Sequence, residues 1–303
     1  MRYAVIDVGT NSTRLYVAER DGTALTERAR TLKITRLGQG VDEAGNLDPG
    51  AVERTVDVIG EYWDRCRSFG VTGSRARIAA TSAVRDAANR AEFIAEVRAR
   101  TGLDVEVLTG DEEAALSFAG AASDLGERPG PFCIVDIGGG STELVVGEAH
   151  VDAAISLDIG SVRLTERCIR DDPPSDGQLR EVAAMADEAL EQAARIHPDR
   201  ARTLVGVAGT ITTMAAVALG LDGYDRDAIH HATLTREKVD DLVAKLAAMS
   251  NAQRRTLPAM PPGREDVIVA GAIILQRVMD RCAFRSVLVS EADILDGLMT
   301  TIL

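Results

Sequence analysis

Asp7 and Asp136 each close a run of apolar β-formers and open onto small residues, Val-Gly-Thr-Asn-Ser-Thr at 8–13 and Ile-Gly-Gly-Gly-Ser-Thr at 137–142. A plain hairpin needs a turn, but not an acid followed by glycines, an amide and hydroxyls. A glycine turn leaves backbone N–H groups unobstructed, so a phosphate can approach the main chain closely. Ser12, Thr13, Ser141 and Thr142 can add hydroxyl donors. The carboxylate repels a phosphate and is suited instead to a cation, or to water on a cation, that the phosphate also touches. The pattern therefore predicts a metal-bound phosphate, with Asp7 and Asp136 on the metal side.

The two segments are copies. "AVIDVGTNSTRLYVAE" at 4–19 lies on "CIVDIGGGSTELVVGE" at 133–148 without a gap, with seven of sixteen positions identical. Shared turn composition alone does not account for identity of the Asp and of the Ser-Thr pair. The copies differ where Arg14 in the first stands against Glu143 in the second. An Arg beside one turn suits a phosphate, whereas a second carboxylate beside Asp136 suits a cation, which predicts specialised copies. A third segment, "LTGDEEAALSF" at 108–118, brings Asp111, Glu112 and Glu113 to the start of a helix. Acids in a first helical turn favour the macrodipole and need no further reason. Beside a phosphate cleft, one of them becomes a candidate base for an attacking water.

The elements that must position these residues follow from periodicity. Strands are predicted at 3–8, 13–20, 23–34, 76–81, 103–108, near 142–158, at 203–208 and at 285–290. Helices are predicted from Asp48-Pro49, near 82–101 with Asn89 as a cap, and from 111, 161 and 176–196 capped around Ser175. Others fall after the glycine turn in "GVAGTITTMAAVALG", at 235–249, at 264–282 and from 291. "GERPGP" at 126–131 reads as a linker. The expectation is an α/β protein of two duplicated domains, 1–124 and 125–303, with the closing helix of about 291–303 packing back on the first and two Asp-Gly hairpins facing one cleft.

Composition narrows the function classes. A net charge of −13 argues against general nucleic-acid binding, though not against a small polyanion met by local Arg, Lys and backbone amides. The strongest apolar run, "VIVAGAIIL" at 267–275, is half a membrane span, and the N-terminus reads directly into a strand without a leader pattern. Cys66, Cys133, Cys168 and Cys282 sit apart among apolar neighbours, which predicts reduced core thiols and a cytoplasmic setting. His230-His231 lack a third ligand nearby in sequence and read as a solvated pair, as His150 and His197 read as surface residues. "RRTLPAMPPGRED" at 254–266 resembles a mobile loop between helices, which could line the cleft or be an ordinary surface connection. Gly209-Thr210 could bind an anion at a helix N-terminus or serve close packing.

"DVGTNSTRL", "ATSAVRDA", "LTGDEEA", "DIGGGSTELV", "GSVRLTE" and "GVAGTITT" occur here in the order and spacing of the exopolyphosphatase / guanosine pentaphosphate phosphohydrolase family, which the chain resembles over essentially its full length. The resemblance implies the duplicated two-domain, ribonuclease H-like fold of the actin, sugar kinase and chaperone ATPase superfamily, with the active site in the interdomain cleft. It implies Glu113 as the catalytic base, and Asp136 and Glu143 as metal-associated acids holding Mg2+ or another divalent cation. Phosphate contacts map onto Thr10, Asn11, Ser12 and onto Gly138, Gly139, Gly140, Ser141 and Thr142, with Arg14, Arg85 and Arg163 matching basic positions near the phosphate chain. The implied activity is release of terminal orthophosphate from inorganic polyphosphate, with short chains favoured. Guanosine pentaphosphate is the alternative substrate, and a non-hydrolysing polyphosphate or alarmone binder or a kinase-like phosphotransferase are the rival readings. No nucleic acid or membrane partner is expected, and a homodimer is compatible with the reading. Long members carry further helical domains that this sequence lacks, so grip on very long polyphosphate is not carried over.

Overall fold

The computed structural model describes residues 1–126 and 128–303. They form two compact units, Met1–Leu116 with Ile294–Leu303, and Ser117–Asp293. In the first unit the strands are β1 (Arg2–Val8), β2 (Ser12–Asp21), β3 (Ala24–Ile34), β4 (Ala76–Ala80) and β5 (Val105–Val107), in the sheet order β3-β2-β1-β4-β5. In the second unit they are β6 (Phe132–Ile137), β7 (Thr142–Gly147), β8 (Val151–Leu157), β9 (Thr203–Val207), β10 (Thr233–Thr235) and β11 (Ser286–Val289), in the order β10-β11-β9-β6-β7-β8.

The second order, read backwards, repeats the first. Each glycine-turn hairpin is antiparallel (β1 with β2, β6 with β7), and each first strand has a parallel neighbour on its other side, β4 or β9. The correspondence reaches single residues. The turn closes by Gly9 N–H donating to Ser12 O at 2.9 Å in one copy, and by Gly138 N–H donating to Ser141 O at 3.0 Å in the other. A register shift falls between Val17 and Ala18 in the first hairpin's outer pairing and between Val146 and Gly147 in the second, the same place in the aligned copies. Bulges bend and twist a strand at a fixed position, so the two hairpins have the same local shape.

Strand alternation assigns the packing. In the first unit Ala4, Ile6, Val8, Leu15 and Val17 face Val52, Ile59 and Trp63 of the helix Pro49–Ser68, which Asp48 caps by accepting from Ala51 N–H at 2.9 Å. Tyr3, Val5, Tyr16 and Ala18, on the opposite face, pack against Ile294, Leu295, Leu298 and Met299 of the helix Ile294–Thr300. That helix seats closely enough for a Cβ on Gly297 to lie 2.0 Å from Leu116 O, a backbone atom. Gly297→Ala is therefore expected to destabilise the first unit by about 1–3 kcal/mol, read as a lowered thermal midpoint; an unchanged midpoint would show that the helix can shift.

Several elements differ from their predicted form. Asn89 stands before the helix Arg90–Thr101, but its amide bonds Leu47 in both directions, N–H to Oδ1 at 2.8 Å and Nδ2 to O at 3.1 Å, and does not cap. The helix predicted over 176–196 ends at Leu190 and continues as a tighter turn, Glu191–Ile196. The helix predicted from 264 begins at Ile268. Strand β10 was not predicted, because three residues are too short for an alternating pattern to register. All four cysteines are buried and free, and burial pushes the Cys66 thiol up to about 12. Among the described residues no helix is long and apolar enough to cross a membrane.

Candidate active site

In each copy the Asp that ends the first strand is paired in register with the residue two beyond the Ser of the turn. These pairs are Asp7 with Arg14, and Asp136 with Glu143. Directly opposed residues on antiparallel strands project to one side, with Cβ atoms about 4.5–5.5 Å apart. In the first unit the pair is a buried salt bridge. Nε and Nη2 of Arg14 donate to Oδ2 of Asp7 at 2.9 and 2.8 Å. The Arg14 guanidinium thus neutralises Asp7 within the chain, where the sequence had placed Asp7 beside a metal and Arg14 beside a phosphate.

The same position in the second unit carries two carboxylates, both buried. Like charges directly opposed in a sheet are destabilising, and more so out of water. Each acid has one oxygen fixed by a serine: Ser117 Oγ donates to Asp136 Oδ2 at 2.5 Å, and Ser156 Oγ donates to Glu143 Oε1 at 2.7 Å. The donor set, two rigidly held carboxylates beside a glycine turn, fits a divalent cation of the Mg2+ class, which takes one or two carboxylates together with substrate phosphate.

The turns themselves are braced from behind. Gly138 O accepts from Ser161 N–H at 2.9 Å, and Gly139 O accepts from Val162 and Arg163 N–H at 2.9 and 3.1 Å. Arg163 Nε donates to Gly140 O at 2.7 Å, so this arginine supports the turn through its carbonyl. A Cβ on Gly160 would come within 2.3 Å of Gly139 O, which is why the approach requires glycine there. Thr142 Oγ1 donates to Ile159 O at 2.7 Å and thereby commits its proton to the fold. Gly138 and Gly139 remain half-buried, whereas Gly140 and Ser141 are buried. In the first unit Thr10 Oγ1 and Ser82 Oγ are 2.9 Å apart, and Thr13 Oγ1 and Thr35 Oγ1 are 3.0 Å apart. Asn11 O accepts from Thr35 and Arg36 N–H at 3.1 and 3.0 Å, while Asn11 and Ser12 keep partly exposed side chains.

The three acids at 111–113 separate cleanly. Thr109 precedes the helix Gly110–Ala122, and Glu112 Oε2 accepts from its backbone N–H at 2.8 Å and its hydroxyl at 2.9 Å, while Thr109 Oγ1 accepts from Glu112 N–H at 3.2 Å. Glu112 is thus a capping residue, exposed, and the Thr109 N–H holds its carboxyl below the usual range. Asp111 is also exposed. Glu113 is buried, and its Oε2 accepts from Arg85 Nη1 at 3.0 Å; the same nitrogen donates to Leu108 O at 3.0 Å. Arg85, expected on the phosphate, is thus engaged with the acid expected to be the base.

Several residues of these neighbourhoods were not anticipated. Ser117 and Ser156 hold the acid pair, and Ser156 is the register partner of Glu143 across β7 and β8. Arg36, just beyond β3, donates its N–H to Asn11 O of the first turn and has φ 52°, a left-handed conformation that is costly for a side-chain-bearing residue. The segment 254–266 carries a cluster of ionic and hydrogen-bonded contacts. Arg254 is buried with Nη1 donating to Glu265 O at 2.6 Å, and Arg255 Nη2 meets Glu265 Oε1 at 2.6 Å. Arg264 Nη1 donates to Gly209 O at 2.9 Å and Thr213 Oγ1 at 2.8 Å. A Cβ on Gly209 would meet that guanidinium at 2.2 Å, so this glycine serves close packing. The histidine pair does gain a third group from afar, since Asp124 Oδ2 lies 2.6 Å from His230 Nε2 and 3.9 Å from His231 Nε2. His230 Nδ1 accepts from Glu291 N–H at 3.0 Å, which leaves the proton of the neutral ring on Nε2, facing Asp124. That tautomer bonds a carboxylate and does not ligate a metal.

Comparisons with known proteins agree with one another. The sequence model of the Ppx/GppA phosphatase family matches residues 16–303. Exopolyphosphatase 2 of Mycobacterium tuberculosis is 43% identical over 311 residues, covering 98% of this chain and 97% of that protein. The crystal structure of the Aquifex aeolicus member of the Ppx/GppA family aligns with a TM-score of 0.83 at 32% identity, covering 100% of this chain and 97% of its own. An exopolyphosphatase from Cytophaga hutchinsonii has the same fold, with a TM-score of 0.92 at 24% identity over 100% and 98% of the two chains.

Proposed function

Since the chain belongs to the Ppx/GppA phosphatase family, we propose that it is an exopolyphosphatase that releases the terminal orthophosphate of inorganic polyphosphate by attack of water. The observation that carries hydrolysis is Glu113: among three adjacent acids it is the one that is buried and held by a guanidinium, at 3.0 Å from Arg85. An ion pair is made by the carboxylate form, which is also the form able to accept a proton from water.

Asp136 and Glu143 would hold the divalent cation, of which Mg2+ is the expected example, and when bound it supplies neutralisation of the terminal phosphate charge. The backbone N–H groups of the two turns, with Ser12 and Ser141, bind and orient the terminal phosphates. Ser117 and Ser156 fix the carboxylates so that little reorganisation accompanies charge development. Glu113 takes the proton of the attacking water. The new P–O bond forms as the bridging P–O bond breaks, and the shortened chain leaves with its negative charge while orthophosphate is released. No phospho-enzyme is required. The reading requires that Glu113, Arg85 and both turns act on one substrate.

Phosphate release from tripolyphosphate and from guanosine pentaphosphate, with and without Mg2+, tests the proposal. Release from polyphosphate that depends on the cation supports it, and release from guanosine pentaphosphate alone would move the substrate to the nucleotide. Chain length gives a second test. The polymer carries about one negative charge per phosphate, and the chain carries −13. Exposed charges beyond about 8 Å are screened at physiological salt, so distant phosphates gain little from Arg14, Arg85 and Arg163. kcat/KM is expected to level off or decline once the substrate exceeds the few phosphates that these groups can serve. A steady rise into chains of hundreds of units would reveal an extended binding track.

A further inference from the structure

A cavity of about 470 Å3 opens in the second unit where β9 and β11 begin, lined among others by Arg128, Arg202 and Arg285. It is remote from the acid pair. Strands β6 and β9 run parallel, with Phe132 opposite Thr203 and Asp136 opposite Val207, so the strand starts lie about 13 Å from the Asp136 end at about 3.3 Å per residue.

Three arginines line it in a chain whose net charge is −13, with Asp199 as the one carboxylate among the described lining residues. Arg202 and Arg285 are exposed, and neither forms an ion pair among the described residues, whereas Arg226, Arg236, Arg254, Arg255, Arg277 and Arg281 of the same unit each do. Arg128 donates to Leu125 O, an uncharged backbone carbonyl. Like charges lining one cavity raise its free energy, and an anion relieves it. The lining also includes apolar side chains: Phe284 is buried and Leu288 half-buried. A bare inorganic phosphate has nothing to place against them. Cationic groups, apolar side chains and a volume within the range of small-molecule sites together fit an anion with an apolar body.

We propose that this cavity is a second ligand site, distinct from the acid pair, that binds an organic phosphate of about mononucleotide size, with the phosphoryl groups on Arg202 and Arg285 and the apolar body against Phe284. The proposal does not depend on which phosphoanhydride the enzyme hydrolyses. ADP is a suitable probe and pyrophosphate its inorganic counterpart, each titrated calorimetrically into the full chain and into the double variant Arg202→Gln, Arg285→Gln. Both side chains are exposed, so the variant is expected to keep the wild-type thermal midpoint and its basal phosphate release from tripolyphosphate. ADP is expected to bind the wild type, and the double variant to weaken that binding by about 100-fold or more, since each charge-assisted bond is worth about tenfold or more. Pyrophosphate is expected to bind more weakly than ADP and to lose less in the variant. No ADP binding at millimolar concentration, or equal ADP affinity in the two proteins, would overturn the site. Pyrophosphate binding as tightly as ADP, with the same loss in the variant, would overturn the organic-phosphate assignment.

Discussion

Glu113→Gln is expected to lower turnover by about 100-fold or more while leaving substrate affinity and thermal stability close to those of the wild type. Glutamine keeps the length of the side chain and still offers an oxygen to Arg85 Nη1, so the contact at 3.0 Å can persist. What it lacks is the ability to accept a proton from water. Its neighbours supply the contrast. Glu112 belongs to the capping box with Thr109, so Glu112→Gln removes a charge near the helix start and should change stability slightly and rate hardly at all. Steady-state kinetics on tripolyphosphate with Glu112→Gln and Glu113→Gln checks this. Near-normal turnover in Glu113→Gln would remove Glu113 from the mechanism.

The second large effect is expected at Glu143, because the chain contains its own control. Asp7 faces Arg14 and forms a salt bridge with it, whereas Asp136 faces a second carboxylate, Glu143. Glu143→Arg would convert the second copy into the first: the new guanidinium would pair with Asp136 and take the place of the cation. Phosphate release should fall to background, and the rise in thermal midpoint expected of the wild type with Mg2+ should be absent. That rise reports binding to the native state and reaches about 2.7 kcal/mol when the ion is present at 100 times its Kd. Glu143 is fully buried, so the larger side chain has less room than Arg14. Glu143→Gln and Asp136→Asn serve as milder variants, expected to fold and to need more Mg2+ both for half-maximal rate and for the thermal shift. If both keep the wild-type Mg2+ response, the cation is bound elsewhere.

The repeat was the most legible feature in the sequence, and it extends further into the structure than the sixteen aligned residues. Sheet order, the closing hydrogen bond of the turn and the site of the bulge are all repeated. Local pattern carries this information, because a strand, a glycine turn and a strand are contiguous. The partners of the charged residues were less legible, to a degree that follows sequence separation. Asp7 and Arg14 face each other by hairpin register, so counting outward from the turn finds the pair, although charge logic alone had assigned Arg14 to a phosphate. Arg85 and Glu113 lie 28 residues apart on separate short elements, and Asp124 and His230 lie 106 apart. No periodicity encodes such meetings. The contacts of segment 254–266 were illegible for a different reason. Its prolines and glycine have loop composition, while the burial of Arg254 and Arg264 depends on Glu265, Gly209 and Thr213, which local composition cannot show.

The helix Ile294–Thr300 has a consequence for the order in which the protein can be made. It covers the face of the first sheet formed by Tyr3, Val5, Tyr16 and Ala18, so the first unit is completed only by residues synthesised after the whole of the second. Residues 117–293 are contiguous and can assemble their own sheet and core while synthesis continues. The first sheet instead is complete once β5 has emerged and keeps one apolar face open for roughly 190 residues of further elongation, about 9–37 s at about 5–20 residues per second. During that interval the N-terminal half is the more vulnerable to aggregation and to proteases, although it is translated first. The vectorial rule that early segments fold early is thereby inverted: the second unit is free to mature before the first can close.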